Sequence, residues 1–471
     1  MEEAQQKNEF WSLYTTLWRL SGKTKPIRDN IHKTDGSFVH SDTEHLQRWQ
    51  EFFQQLLNHQ KPHDPPAAPP DLSRPQDLAS EEAPSLEEVK RSIKMLKNGK
   101  AAGADGITAE AIKAGGHMLA ERLHLLILTI WSTEHIPTAW KKAIIMPILK
   151  KGDNRDCTNY RGISLLLVTG KVFMRILQTH LQRHHEQLAR EEQGGFHPYR
   201  SCCDQIFTLR QLMEEWTWCG KRTMIVFIDF RAAFDSVHWP ALWRALEAEH
   251  VPTSLVRLVN NTYSNCTSCV RIKNACSEDF TVRSGVQQGC VLSHLLFNVV
   301  INAIMRTAFN GRWGVKLSKN DYVTDLMFAD DSAIFANSDA EATDILYAVA
   351  SAARPYGLQI NSDKTKAMTT DGSSTTVHLD GKQIEQVQQF KYLGSIVQER
   401  KVASTAEVHS RIGLATATFS ALNWCLWKKQ SVSLQTKIHV FRATTIAVLL
   451  YGAETWTLLQ ADLNKLEVFQ M

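Results

Sequence analysis

The chain has 471 residues, 43% of them hydrophobic and 22% charged, which excludes a disulfide miniprotein, wholesale disorder and a multi-span membrane protein and suggests about three domains. Fifty-three Lys and Arg against 49 Asp and Glu leave a net charge of +4, which permits a nucleic-acid partner without arguing for one. The nine cysteines are scattered, with none before Cys157, and are read as reduced thiols; no apolar run reaches the roughly 18 residues of a bilayer span, so a soluble, intracellular protein with no membrane partner is expected.

In EFWSLYTTLWRL and EHLQRWQEFFQQLLN, apolar and aromatic residues at helical spacing predict two amphipathic helices around a turn at Lys33–Gly36, an N-terminal appendage over 1–60. Seven of the 14 prolines fall between Lys61 and Ser85, so 61–85 reads as an extended linker. Ser85-Leu-Glu-Glu signals a helix start, with the stop at Gly99. A helix from about Ala109 to Trp131, a strand over Ala143–Leu149 and a long helix in LLLVTGKVFMRILQTHLQRHHEQL follow, with His184 and His185 read as part of a solvated face.

TMIVFIDF (223–230) is a continuous apolar strand ending on a carboxylate, and AAFDSVHWPALWRAL after it is helical. TSCVRIKNACSEDFTVRSG has hairpin character; Cys266, Cys269 and Cys276 there lack a fourth ligand at zinc spacing and read as small buried thiols. VLSHLLFNVVINAIMRTAF is a long buried helix, and DYVTDLMFADDSAIFANS two strands joined by Ala329-Asp330-Asp331. A helix to Ala353, short strands around VHLD and FKYLGSIV, and about 70 mostly helical residues complete the chain.

Asp229 ends one apolar strand and the Asp330–Asp331 pair sits at the turn of a strand pair later in the chain. Carboxylates at the edge of apolar strands are costly unless a cation neutralises them. A hard divalent ion suits them: Mg²⁺ takes one or two carboxylates plus phosphate oxygens, and a pair of such ions can serve both the attacking and the leaving oxygen of a phosphoryl displacement. Taken singly, these residues are better explained as a strand-end cap and an Asp-rich turn. Between them, SGVQQGCVLSHLLFN opens the long helix with a Gly-bounded polar turn that lets backbone and Gln288 approach a ligand closely.

This constellation resembles the reverse transcriptases of non-LTR retrotransposons of the RTE-like, long-interspersed-element type, over nearly the whole chain. The resemblance implies an α+β right-hand polymerase with fingers over 86–220, an antiparallel-sheet palm over 221–398 and a helical thumb over 399–471, the reverse transcriptase domain spanning about 131–398. It implies two Mg²⁺ ions, with Mn²⁺ as a substitute, and an RNA template, a DNA primer and dNTPs as partners. In FIDFRAAFDSV it makes Asp229 a ligand of both metals and Phe234 the aromatic gate against a ribose 2′-hydroxyl. In FADD, Asp330 becomes the second shared ligand and Asp331 a less direct neighbour. Gln288 and Gly289 fall at the nucleotide-positioning turn, although Gln287 stands where the family has Arg and His294 where it has Pro.

GLQINSDKTKAM matches a motif whose lysine lies near the leaving pyrophosphate, making Lys364 the candidate general acid and Lys366 the runner-up. FKYLGSIV resembles the primer-grip hairpin, with Tyr392, Leu393 and Gly394 on the primer backbone. PILKKGDNRDCTNYRGISLL resembles a fingers motif in which Lys150, Lys151 and Arg161 meet the triphosphate, and EEQGGFHPYRSCCDQIFTLRQL another, with His197 and Tyr199 at the usual Arg and Gly. Trp424, Trp427 and Trp456 among the lysines near 428–437 read as a duplex grip or as core packing.

Family members carry an upstream endonuclease, so the resemblance implies a chain truncated at both ends. It leaves a decayed, inactive copy that at most binds RNA as the alternative. A palm-fold RNA polymerase or nucleotide cyclase fits less well. The gate at Phe234 would be pointless with ribonucleotide substrates, and the fingers and thumb resemblance speaks against a cyclase.

Overall fold

The computed structural model describes residues 31–59, 62, 72, 79–312, 314–316 and 322–470. The predicted helix in EFWSLYTTLWRL and most of the proline-rich stretch lie outside the described residues. The α-helices of four or more described residues are α1 (Asp42–Leu56), α2 (Leu86–Lys94), α3 (Ala109–Ala114), α4 (Gly116–Thr133), α5 (Val168–Leu188), α6 (Cys202–Trp218), α7 (Ala233–Ser236), α8 (Trp239–Ala248), α9 (Thr253–Tyr263), α10 (Ser293–Phe309), α11 (Asp339–Ala353), α12 (Thr405–Ala421), α13 (Leu434–Phe441) and α14 (Gln460–Gln470). Ser85 and Glu88 form a reciprocal cap at the start of α2, where the sequence signals it. The continuous helix expected from Ala109 breaks at Gly115–Gly116, the latter with φ +60°.

The central sheet uses β3 (Met224–Ile228), β5 (Asp325–Phe328), β6 (Asp331–Ala336), β7 (Lys366–Thr369) and β8 (Glu385–Gln386), in the order β8-β7-β3-β6-β5. All pairings are antiparallel except β7 with β8. β3 is buried along its whole length because both faces of the sheet are covered. Met224, Val226 and Ile228 enter the main core with α10 and α11, while Ile225 and Phe227 face a second core with α6 and the hairpin described below. This is why β3 reads as an unbroken apolar run instead of an alternating one.

A second sheet contains β1 (Lys142–Leu149), β2 (Tyr160–Leu165) and β4 (Thr267–Ile272), with β1 antiparallel to β2 and parallel to β4. Pro147 sits in β1 beyond the last residue paired to β4, so its missing N–H interrupts no ladder on that side. Residues 31–59, expected as an appendage, belong to this layer. Trp49 and Phe53 on α1 are fully buried with Ile145, Tyr160 and Val270, and the Trp49 ring meets Tyr160 edge-on at 4.8 Å. The expected turn at Lys33–Gly36 is present, closed by a bridge between His32 and Phe38.

A hairpin of β9 (Gln389–Tyr392) and β10 (Ser395–Gln398) precedes the mostly helical C-terminal part. That part contains two π-helical turns, Asn423–Trp427 and Arg442–Ile446. His184 and His185 on α5 are buried, not solvated. His184 Nε2 meets the Glu249 carbonyl, and His185 Nδ1 lies 2.9 Å from the Glu249 carboxylate. A partner 64 residues away converts what looks like a polar face into an interior one. No described helix is long and apolar enough to cross a membrane.

Candidate active site

The register of the central sheet assembles the carboxylates. Ile228 pairs with Ser332 in antiparallel β3 and β6, so one residue further along Asp229 stands against Asp331. Asp331 in turn pairs with Phe328 across the tight β5–β6 turn that carries Ala329 and Asp330. Ala329 adopts φ +59°, an uncommon conformation for a residue with a Cβ. A glutamine holds it there: Oε1 of fully buried Gln193 accepts from the amides of Ala329 (3.0 Å) and Gly195 (2.7 Å). Gly195 lies so close that a Cβ would sit 2.2 Å from the Ala329 nitrogen. The motif around Gln193 is visible in the sequence, but nothing there marks it as the clamp on a turn more than 130 residues later.

Like charges and packing act on this group together. Burial, with Asp229 nearby, raises the Asp330 carboxyl above its ordinary value, against the pull of Arg161 and Lys150. Burial and the neighbouring Asp330 and Asp229 push Asp331 up to about 6. The Asp229 backbone is fixed by Asn361, whose amide donates to its carbonyl at 2.7 Å, and by the Thr365 hydroxyl, which accepts from its amide at 3.3 Å. Its Oδ2 is shielded from solvent and receives no hydrogen bond, with Lys364 Nζ 3.7 Å away.

The cations come from two other elements. β1 and β2 pair Ile148 with Arg161, and Lys150 follows two residues after Ile148, so Lys150 and Arg161 project from the same face of the hairpin end. Packing lowers the Lys150 pKa, as does the charge of Arg161, while Asp235 and Asp330 favour its charged form. Lys364 joins from the loop before β7. Lys151 is exposed in the turn beyond Lys150 and joins none of the described contacts of this group. Lys366 is turned away, its Nζ 2.8 Å from Glu385.

Phe234 lies on α7 just past Asp229, stacked on Phe297 of α10 at 4.3 Å and 13°. His294 and Phe196 complete an aromatic wall: the His294 ring is 4.3 Å from Phe196, and both are 6.2 Å from Phe234. Gln288 and Gly289 are close by, Gln288 donating from Nε2 to both Asp235 oxygens at 2.9 Å. Gln287 turns elsewhere, toward the Cys266 sulfur. His197 is half-buried, whereas Tyr199 is fully exposed at φ +63°.

The β9–β10 residues are differently placed. Tyr392 is 2% exposed, packed on Phe227 in the second core with its hydroxyl toward the Leu326 carbonyl, so its side chain offers no surface to a primer. The Leu393 carbonyl accepts from Tyr451 at 2.9 Å and the Gly394 carbonyl from Arg411. Of the three cysteines expected to be buried, Cys266 and Cys269 are, whereas Cys276 lies on an exposed two-residue strand; all are free of disulfides. Trp424 is exposed with Lys428 over its ring at 4.1 Å, and Trp427 stacks on Phe419.

Residues 148–397 match the family model described as reverse transcriptase (RNA-dependent DNA polymerase), a stretch that contains every residue of the carboxylate and cation group. The chain belongs to the reverse transcriptase family. Its relatives are polymerases of non-LTR retrotransposons. The RNA-directed DNA polymerase from mobile element jockey of Drosophila melanogaster is 26% identical over 402 residues, 82% of this chain and 43% of the relative. The probable RNA-directed DNA polymerase from transposon BS of the same species is 25% identical over 405 residues, with the same shares. The Pol polyprotein from type-1 retrotransposable element R2 of Popillia japonica is 26% identical over 289 residues, 61% of this chain and 39% of the relative. This reverse transcriptase chain thus spans less than half the length of the curated relatives it matches.

Family membership implies divalent cations. Among the described residues no three carboxylate, imidazole or thiolate groups already stand at metal-ligand separation. The donor set nonetheless suits Mg²⁺, which takes one or two carboxylates and leaves its other positions to water and substrate phosphates. The unbonded, shielded Oδ2 of Asp229 beside mutually repelling Asp330 and Asp331 is the arrangement a cation relieves.

Proposed function

We propose that this chain is an RNA-directed DNA polymerase that extends a DNA primer on an RNA template. The observation that carries this reading is the convergence of Asp229 and the Asp330–Asp331 turn at one end of the central strands, faced by Lys150, Arg161 and Lys364. Residues 86–220 serve as fingers, 221–398 as palm and 399–471 as thumb. The two-sided burial of β3 beneath the carboxylates supports a rigid palm.

In the reaction a primer 3′-hydroxyl gives up its proton to solvent and its oxygen attacks the α-phosphorus of a dNTP in line. The bond from that phosphorus to the bridging oxygen breaks and pyrophosphate leaves. Two Mg²⁺ ions bound by Asp229 and Asp330 would supply charge neutralisation at the attacking and leaving oxygens, and Mn²⁺ could replace them. Arg161 and Lys150 bind the triphosphate, the planar guanidinium taking phosphate oxygens in pairs. Lys364 holds a proton on Nζ for the departing pyrophosphate. Phe234, braced by Phe297, crowds the sugar C2′ position. The β9–β10 turn is left out of the primer site, because the Tyr392 ring is committed to the core and the Leu393 and Gly394 carbonyls to Tyr451 and Arg411.

Primer extension tests this: oligo(dT) on poly(A) with dTTP and Mg²⁺. The expected result is extension that stops on chelation and is lost in Asp229→Asn. Folded wild-type protein that adds no nucleotide would sink the proposal and favour an inactive copy that at most binds RNA.

A further inference from the structure

We infer that Asp235 is a positioning residue that fixes the Gln288 amide for the incoming nucleotide, a role that rests on the polymerase reading above. Asp235 follows Phe234 on α7, and both of its carboxylate oxygens accept from Gln288 Nε2 at 2.9 Å. An ionised carboxylate only accepts, so the amide nitrogen must face Asp235 and the amide oxygen is left as the end available to a ligand. The Gln288 backbone is pinned as well, its carbonyl accepting from the Ser164 amide on β2 at 2.7 Å.

Two glycines draw the 284–289 loop into this position. At Gly285, φ +85°, a Cβ would come within 2.7 Å of the Asp235 carbonyl; at Gly289, φ +117°, within 2.6 Å of the Ser164 carbonyl. The Ser284 hydroxyl also reaches the Asp235 carbonyl at 3.3 Å. Gln288 is thereby held at the junction of β2, α7 and the start of α10.

A partly buried carboxylate is an expensive way to hold a loop. Burial pushes the Asp235 carboxyl up to about 6, opposed by Gln288, Lys150 and Arg161. The same three side chains that favour its ionised form are those proposed to receive the nucleotide. An apolar residue would fill the space as well but could not choose which end of the amide faces outward.

The test is steady-state dTTP incorporation on poly(A)/oligo(dT) by wild type, Asp235→Ala, Asp235→Asn, Gln288→Ala and the Asp235→Ala/Gln288→Ala double variant. Asp235→Ala is expected to raise KM for dTTP about tenfold with kcat within about threefold, the signature of lost nucleotide binding. The double variant should be no worse than Gln288→Ala, because residues acting as one unit are not additive. Asp235→Asn, which keeps an acceptor oxygen but adds an N–H donor that permits the flipped amide, should fall between wild type and Asp235→Ala.

Unchanged KM, additive losses, or Asp235→Asn as damaging as Asp235→Ala would each overturn the inference. Should the alanine variant fail to fold, Asp235→Glu carries the test. Its extra methylene displaces the amide and should raise KM several-fold, and an unchanged KM would count against the role. Equilibrium binding of dTTP to the protein with primer–template, measured in Ca²⁺, separates the two readings. Wild type without turnover strikes the polymerase proposal, whereas equal dTTP affinity in wild type and Asp235→Ala strikes this one.

Discussion

Two hairpins of this molecule share a device and put it to opposite uses. The β5–β6 turn bends at Ala329 with φ +59°, and the β9–β10 turn at Leu393 with φ +48°. In the first, the clamp comes from behind, through Gln193, and the Asp330 and Asp331 carboxylates repel one another on the outer side. In the second, the Leu393 and Gly394 carbonyls are taken by Tyr451 and Arg411, and the Tyr392 ring is buried. One turn leaves its carboxylates outside the described hydrogen bonds and the other uses its carbonyls within the fold. A hairpin that is chemically available and one that is structurally committed can therefore carry the same backbone signature.

Substitutions can break this comparison. Asp330→Ala should reduce primer extension by about 10³-fold or more while leaving the thermal midpoint level or slightly raised, because a repelled carboxylate is removed. A marked loss of stability would show that this turn is committed too. Tyr392→Ala should do the reverse, costing about 3 kcal/mol or more of stability from a vacated core site, read by thermal unfolding. A stable Tyr392→Ala protein with weakened primer binding would return the side chain to the primer.

The clamps sharpen it further. Gln193→Ala strands two buried amides and should cost about 1–3 kcal/mol; it should also raise the Mg²⁺ concentration needed for half-maximal extension, as Asp330 loses its footing. An unchanged metal requirement would separate the clamp from the carboxylates. The smallest effect belongs to Tyr451→Phe, which removes a hydroxyl that bonds the Leu393 carbonyl and lies 3.2 Å from the Cys202 sulfur, and should change stability by about 1 kcal/mol. A larger shift would mean that the C-terminal helices lean on this hairpin more than the contact suggests.

The sequence reports those parts of the site that rest on local pattern. The strand before Asp229 is legible because both of its faces are buried, and the FADD turn because two short apolar segments flank it. Ser85 and Glu88 mark α2 through a cap that needs only neighbouring residues. What escapes is whatever depends on partners distant in the chain. Gln193 and Asp235 look like an unremarked loop residue and a helix-start residue until folding brings Ala329 and Gln288 to them. His184 and His185 read as surface because Glu249 cannot be seen from α5. The aromatic in FKYLG suggests a contact surface, but an aromatic on a hairpin is equally a core anchor, and Phe227 decides between them.

The seating of residues 31–59 has a practical consequence for handling the protein. Trp49 and Phe53 are inserted into the layer of β1, β2 and β4. On the far side of the proline-rich stretch, carbonyls of Ser80, Glu81 and Pro84 accept from His180, Trp131 and His124. A protein begun after residue 59 would leave Ile145, Tyr160 and Val270 uncovered on that layer and should aggregate, where a surface appendage could be removed without consequence.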